Sequence, residues 1–187
     1  MVVYGIQDEQ ARKLAYPLLT WAAGLHWGMK ERPEVARGER GKPFFPQWPQ
    51  CQFNLSHSGT LAVCALDETP VGVDIQTVQN RREKLIDRVC SARERDWLLR
   101  RGDCAEDFAL LWAMKESRCK YSGEGLRQPI SDISVPLPED KEPFLEWEGL
   151  RFWLARGDGW RFALCGHGVW DGTILWIDPD TLNTRGE

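Results

Sequence analysis

The chain has 187 residues, 42% of them apolar and 28% charged, with a formal net charge of −4 at neutral pH. That is the make-up of an ordinary soluble globular protein, built as one domain or two small, tightly packed halves. It argues against a general nucleic-acid binder, and no apolar run is long enough to span a bilayer.

Six cysteines without a Cys-x-x-Cys pair indicate neither a zinc site nor a disulfide framework. The first residues, Met1-Val2-Val3-Tyr4-Gly5-Ile6-Gln7-Asp8, lack the basic start of a secretion signal, so a reducing cytoplasm is the expected location. Ten tryptophans are scattered along the chain, which suits core packing better than a binding box.

In chain order, Val2–Gln7 reads as a strand, and residues 9–28 read as a helix with Leu14, Leu18, Ala22 and Leu25 on its apolar positions. A Gly/Pro-rich connection follows, containing Gly41-Lys42-Pro43 and Pro46-Gln47-Trp48-Pro49. Phe53-Asn54-Leu55-Ser56-His57-Ser58-Gly59 then leads into an apolar strand over residues 61–66, and Asp67-Glu68-Thr69-Pro70 marks a turn. After the turn the order begins again. A strand over 71–76 precedes helices near 81–90, 92–101 and 105–121, and strands near 151–155, 160–165 and 173–177, with Arg156-Gly157-Asp158-Gly159 as a hairpin turn. Residues 3–7 echo 72–76, and 59–64 echo 159–165. The expected fold is therefore α+β: two similar half-domains, 1–69 and 70–187, related by a pseudo-twofold and packed side by side, with a ligand cleft where they meet.

Three segments carry chemistry. On the helix over 105–121, Phe108, Leu111, Trp112 and Cys119 form one apolar stripe, with Lys115 in its middle and Glu116 and Lys120 along its edge. Charges on the buried side of a helix are costly unless paired; a carboxylate there suits a cation and two lysines suit an anion, together a metal-bound phosphate. The same Glu–Lys spacing also serves as a solvated surface pair worth about 0.2–0.5 kcal/mol, and Lys115 is long enough to snorkel past apolar neighbours. In the strand over 71–76, Asp74 shares a face with Gly72 and Gln76 in an otherwise apolar setting, so it needs a hydrogen-bonded or metal partner. Glu116 would be the second ligand, since Mg²⁺ is commonly held by one or two carboxylates, waters and substrate phosphate. In Asn54-Leu55-Ser56-His57-Ser58-Gly59, backbone N–H groups, hydroxyls and an imidazole at a strand end suit a phosphate oxygen. A Ser-His-acid hydrolase reading of this segment lacks the Gly-x-Ser-x-Gly elbow.

Gly41-Lys42-Pro43, the Phe53–Ser58 segment, Val71-Gly72-Val73-Asp74-Ile75, and the run from Trp112 through Lys115, Glu116 and Lys120 occur in one order, with Gly123-Glu124-Gly125-Leu126 after them. In these segments the chain closely resembles the 4′-phosphopantetheinyl transferase superfamily, in its longer, surfactin-synthetase-activating branch of monomeric pseudo-dimers. The resemblance implies transfer of the phosphopantetheine arm of coenzyme A to a serine of an acyl or peptidyl carrier protein, with release of adenosine 3′,5′-bisphosphate. It implies that Asp74 and Glu116 hold Mg²⁺ (Mn²⁺ being the other oxygen-preferring candidate), that His57 and Lys120 contact phosphate oxygens, that Lys42 and Ser56 seat the nucleotide end, and that Lys115 stands near the reacting phosphate. Glu116 would be the base for the incoming hydroxyl. Gln76 stands where many relatives carry a third acidic ligand. Longer relatives also carry a basic segment upstream of the first helix for the 3′-phosphate; Arg12 and Lys13, or Arg37 and Arg40, are the candidates to replace it. Neither nucleic acid nor membrane is an expected partner. A non-catalytic binder of coenzyme A or carriers, and a Mg²⁺-dependent phosphohydrolase, are the competing readings.

Overall fold

Alternation along the strands sorts side chains onto two faces, and the architecture follows from what covers each face. The structure, a computed structural model, describes residues 1–79, 83–123, 129–139 and 142–183. Its elements are β1 (Val2–Gln7), α1 (Ala11–Trp27), β2 (Ala36–Arg37), β3 (Pro43–Phe44), β4 (Gln52–Ser58), β5 (Leu61–Asp67), β6 (Val71–Thr77), α2 (Glu83–Val89), α3 (Ala92–Arg100), α4 (Ala105–Ser122), β7 (Phe144–Trp147), β8 (Leu150–Gly157), β9 (Trp160–Gly166) and β10 (Ile174–Trp176). The fold is α+β. One four-stranded sheet has the order β10-β1-β5-β4 and a second has the order β6-β9-β8-β7; β2 and β3 form a small hairpin of their own.

On β1 and β5, Tyr4, Ile6, Ala62, Cys64 and Leu66 pack with Leu18, Leu19 and Ala22 of α1. The intervening residues Val3, Val63 and Ala65 face the other way and meet Val71, Val73 and Ile75 of β6 and Phe162 and Leu164 of β9. Each sheet thus turns one apolar face to a layer shared with its neighbour. The second sheet's other face, through Ala163, Cys165 and Phe152, receives Leu110, Leu111, Ala113 and Met114 of α4. Cys64 and Cys165 behave as small apolar residues within these layers. Leu25 is 50% exposed, off the apolar face its spacing suggested, in the last turn before α1 ends at left-handed Gly28.

Gly72 fixes how α4 lies. A Cβ there would fall 2.0 Å from the Ser117 carbonyl oxygen and 2.4 Å from the Tyr121 nitrogen, so the helix backbone rests directly on β6. That contact brings the Glu116–Lys120 edge of the helix to the β6 face that carries Asp74.

The facing edges of the two sheets, β4 and β6, are joined by side chains rather than a backbone ladder. Asn54 Oδ1 accepts from Val73 N at 2.9 Å, Ser56 Oγ from Ile75 N at 3.4 Å, and Ser58 Oγ from Thr77 N at 3.0 Å. Alternation makes this comb: the even-numbered residues of β4 face β6 and satisfy N–H groups that a bare sheet edge would leave unpaired.

Three expectations are corrected here. The segment 53–58, read as a lead-in to the strand over 61–66, is itself a full strand paired to β5 in register from Gln52–Asp67 to Ser58–Leu61, with His57 and Ser58 at its end. Strand β7 was not foreseen; it is a short edge strand whose Glu and Trp residues give a weak alternation signal. The terminal strand, assigned to the second half, instead pairs parallel to β1 in the first sheet, with Val3 opposite Ile174, because its apolar Ile174 joins the layer between the sheets.

Candidate active site

Asp74 is 2% exposed, and its carboxylate is held at both oxygens. Oδ1 accepts from Ser56 Oγ at 2.6 Å and from Lys120 Nζ at 2.6 Å, and Oδ2 accepts from the Gln76 amide at 2.7 Å. Lys120 also donates to Ser56 Oγ at 3.0 Å and to the Val73 carbonyl at 3.2 Å. Glu116 lies one helical turn before Lys120 and is half-buried. Burial first, and then the Asp74 charge, push its carboxyl above the ordinary value, while Lys120 and a hydrogen bond from Trp112 pull the other way. Glu116 therefore resists ionisation beside the Asp74 charge. A divalent, oxygen-seeking cation relieves that conflict, and Asp74 and Glu116 fit Mg²⁺ on this ground.

Beside the pair opens a cleft of about 520 Å³, lined by α1, the β2–β3 region, β4 and α4. Its charged groups are Arg12, Arg37, Arg40, Lys42 and Lys120, with the imidazole of His57 beside them, against Glu116 alone among the described residues. Lys42 is anchored by donating to the Tyr121 carbonyl at 2.8 Å, with its stem packed over Gly123; burial lowers its pKa. Arg37 is braced by the Gly41 carbonyl at 3.1 Å and the Tyr16 hydroxyl at 3.2 Å. Burial lowers the His57 pKa, reinforced by Arg12 and Lys120 and opposed by Asp74. A cleft this rich in cations, with two acids at one end, suits a polyanion whose phosphates share a metal ion.

The sequence model of the 4′-phosphopantetheinyl transferase superfamily matches residues 70–165, which run from β6 to β9 and include Asp74, Glu116 and Lys120. The chain belongs to that superfamily. It is similar to a 4′-phosphopantetheinyl transferase of Bacillus subtilis, 36% identical over 126 residues that make up 66% of this chain and 53% of the relative. It is also similar to 4′-phosphopantetheinyl transferase Sfp of B. subtilis strain 168 (37% identical; 58% of this chain, 49% of the relative) and to 4′-phosphopantetheinyl transferase AcpT of Salmonella typhimurium strain LT2 (34%; 63% and 66%). The chain spans about half the length of the two Bacillus relatives.

Of the superfamily residues expected at the site, the structure brings together Asp74, Glu116, Lys120, Lys42, His57 and Arg12. Three stand elsewhere. Lys115 is fully buried on the core side of α4, where its ammonium pairs with Glu94 at 2.7 Å and donates to the carbonyls of Val89, Ile130 and Ser131. With these partners it faces no phosphate. Ser56 does not line the cleft; its hydroxyl lies in the comb and holds Asp74. Gln76 directs its amide N–H at Asp74 Oδ2 and lines a different cavity. Both Arg37 and Arg40 line the cleft, whereas Lys13 does not. Glu124, Gly125 and Leu126, quoted for the post-helix loop, lie outside the described residues.

Sequence reasoning missed a second cavity of about 630 Å³ beyond Gln76, where Lys84 and Arg88 of α2 face Phe108 and Trp112 of α4. Its one signal was two cations four residues apart on a short helix. None of the six cysteines is in a disulfide. No helix among the described residues is long and apolar enough to cross a membrane.

Proposed function

We propose that this protein transfers the 4′-phosphopantetheine arm of coenzyme A to a serine of an acyl or peptidyl carrier protein and releases adenosine 3′,5′-bisphosphate. One observation carries the reading: Asp74 and Glu116, from distant segments, sit with Lys120 at the end of a cleft whose other charges are cationic. The relatives named as 4′-phosphopantetheinyl transferases support it.

In the reaction the serine oxygen forms a bond to the phosphorus that bears pantetheine. The pyrophosphate P–O bond breaks, the electron pair leaves on the nucleotide phosphate, and the serine proton passes to Glu116. Attack by a neutral hydroxyl on a diphosphate needs alignment and charge neutralisation more than covalent help. Asp74 and Glu116 would hold a divalent ion, Mg²⁺ or Mn²⁺, which would supply Lewis-acid neutralisation of the diphosphate. Lys120 steadies Asp74 and offers its ammonium to phosphate oxygen. His57 and Lys42 take the nucleotide phosphates, and Arg12 with Arg37 and Arg40 takes the 3′-phosphate.

Incubation with coenzyme A, Mg²⁺ and several apo carrier proteins, followed by mass spectrometry, tests the proposal. Carriers heavier by one phosphopantetheine support it. Cleaved coenzyme A with unmodified carriers would mean hydrolysis, and neither product would mean a binding protein.

His57→Ala is expected to weaken coenzyme A binding by about 1.5–3 kcal/mol, the range of a hydrogen bond to a charged group, as read by calorimetry. A phosphate beside the ring favours imidazolium, reversing the downward shift that burial imposes, so binding takes up a proton. Affinity should therefore rise as pH falls between the free and bound imidazole values, relative to a His57→Gln variant that lacks the slope. Equal slopes would remove His57 from the phosphate.

The cavity beside α2 is assigned to the carrier. It is lined by Gln76 and Trp112, next to the acids, and its Lys84 and Arg88 would suit a carrier whose docking surface is acidic. Charge reversal in Lys84→Glu with Arg88→Glu is expected to lower kcat/KM for an acidic carrier about tenfold, with the KM for coenzyme A unchanged and the difference fading in high salt.

The two halves, 1–69 and 70–187, are read as copies of one unit. The order β1-β5-β4 beneath α1 and the order β6-β9-β8 beneath α4 support this. The active form is read as a cytoplasmic monomer.

A further inference from the structure

Seven residues make α2, too few for a helix to hold its shape alone, so its place is set by what it is fastened to. Val89 at its end is buried, and Leu85 and Ile86 pack on the core beneath α4. The one hydrogen bond between α2 and α4 among the described residues runs from Lys115 Nζ to the Val89 carbonyl at 2.7 Å. The last carbonyls of a helix have no partner within it and carry the negative end of its dipole, so an ammonium is a fitting cap. The same ammonium pairs with Glu94 of α3 at 2.7 Å and donates to the carbonyls of Ile130 and Ser131. Two helices and a loop segment are thus fastened at one point of α4.

That point has a fixed relation to the cavity beyond Gln76. Phe108 and Trp112, which line it from α4, lie seven and three residues before Lys115, on the same stripe of the helix. From α2 it is lined by Lys84, Leu85 and Arg88, and Val89 comes next. The two walls are therefore joined one turn past Trp112, at the bond from Lys115 to Val89. From this arrangement we infer that Lys115 is a positioning residue for the carrier protein: by pinning the end of α2 to α4, it sets where Lys84 and Arg88 stand relative to Trp112 and the neighbouring Glu116. Glu94 balances the charge of that donor inside the core. The inference rests on the assignment of this cavity to the carrier.

The test uses the wild type and three variants. Lys115→Met with Glu94→Gln cuts the tie without stranding a charge. Ile86→Ala loosens α2 and leaves Lys115 alone, and Leu66→Ala weakens the core under α1, away from α2. Transfer kinetics with an acidic carrier and amide hydrogen exchange are read on each. The doubly substituted protein is expected to show a KM for the carrier about tenfold higher, the effect of losing one hydrogen bond to a charged group, with kcat and the KM for coenzyme A within about twofold. Its α2 amides should exchange about tenfold faster, and those of residues 109–113 in α4 should keep their rates within about twofold. Ile86→Ala should repeat the pattern at about threefold, and Leu66→Ala should unfold more readily with the carrier KM within about twofold. Adding Lys84→Glu and Arg88→Glu should cost the untied protein about threefold in kcat/KM, where it costs the wild type about tenfold. A carrier KM that rises as much in Leu66→Ala, or α2 amides that keep their rates once the tie is cut, would make Lys115 an ordinary core contact and overturn the inference. A loss confined to coenzyme A would overturn it too, as would charge reversal on α2 that leaves the wild-type rate unchanged. Carriers left unmodified by the wild type would defeat the transferase reading instead, and the exchange of α2 would still decide whether Lys115 pins it.

Discussion

Glu116→Gln and Asp74→Asn are each expected to slow phosphopantetheine transfer by about 10²–10⁴-fold at saturating coenzyme A and Mg²⁺. Each substitution is nearly isosteric and removes one negative charge from the pair that receives the cation. The two should differ in what remains. In Asp74→Asn the amide oxygen would still accept from Ser56 and Lys120, and Gln76 can turn its own amide oxygen to the new N–H group, so the fold around β6 stays in place and the loss is one of metal affinity. Glu116 is half-buried and already held toward its neutral form by burial and by Asp74, so Glu116→Gln costs the fold little and removes both a ligand and the proton acceptor. Raising Mn²⁺ should therefore recover part of the Asp74→Asn deficit and little of the Glu116→Gln deficit. Near-wild-type rates in either variant would refute the metal assignment.

Lys115→Met is expected to destabilise the protein by about 3–5 kcal/mol, measured by denaturant unfolding, because it strands the Glu94 carboxylate in a site that is only 4% exposed. Three carbonyl oxygens, of Val89, Ile130 and Ser131, lose their donor in the same step. Pairing the change with Glu94→Gln removes the orphaned charge and keeps an acceptor for the Ser91 N–H that closes the capping box at the start of α3, so much of the stability should return. The doubly substituted protein should bind coenzyme A like the wild type. Weak binding by a stably folded double variant would return Lys115 to the phosphate.

These two residues also show what the sequence could and could not convey. Helical spacing placed Lys115 on the apolar stripe and Glu116 and Lys120 at its edge, and the burial of Lys115 follows from that spacing. What spacing cannot report is the partner. Glu94 sits on another helix, and a buried lysine reads the same whether an acid or a phosphate neutralises it. Ser56 is ambiguous for the same reason. Its hydroxyl type suits a phosphate or a carboxylate equally, and only the approach of β4 to β6 decides between them. Asp74 was legible because an acid amid Val-Gly-Val and Ile on a strand requires a partner wherever it lies. Gly72 beside it was legible only as a strand glycine; that it seats α4 against the sheet is a tertiary fact. Strand β10 was found as an apolar run, but a three-residue strand carries no information about which sheet it will join.

The pairing of β10 with β1 has a consequence for biogenesis. Strand β1 must wait, with one edge bare, until the far later β10 has been made. A nascent chain halted before Ile174 therefore exposes the backbone of Val3, Tyr4 and Gly5 to any stray strand nearby, and a gene split at the 69/70 turn would yield an amino-terminal fragment prone to clump unless the remainder is supplied in trans.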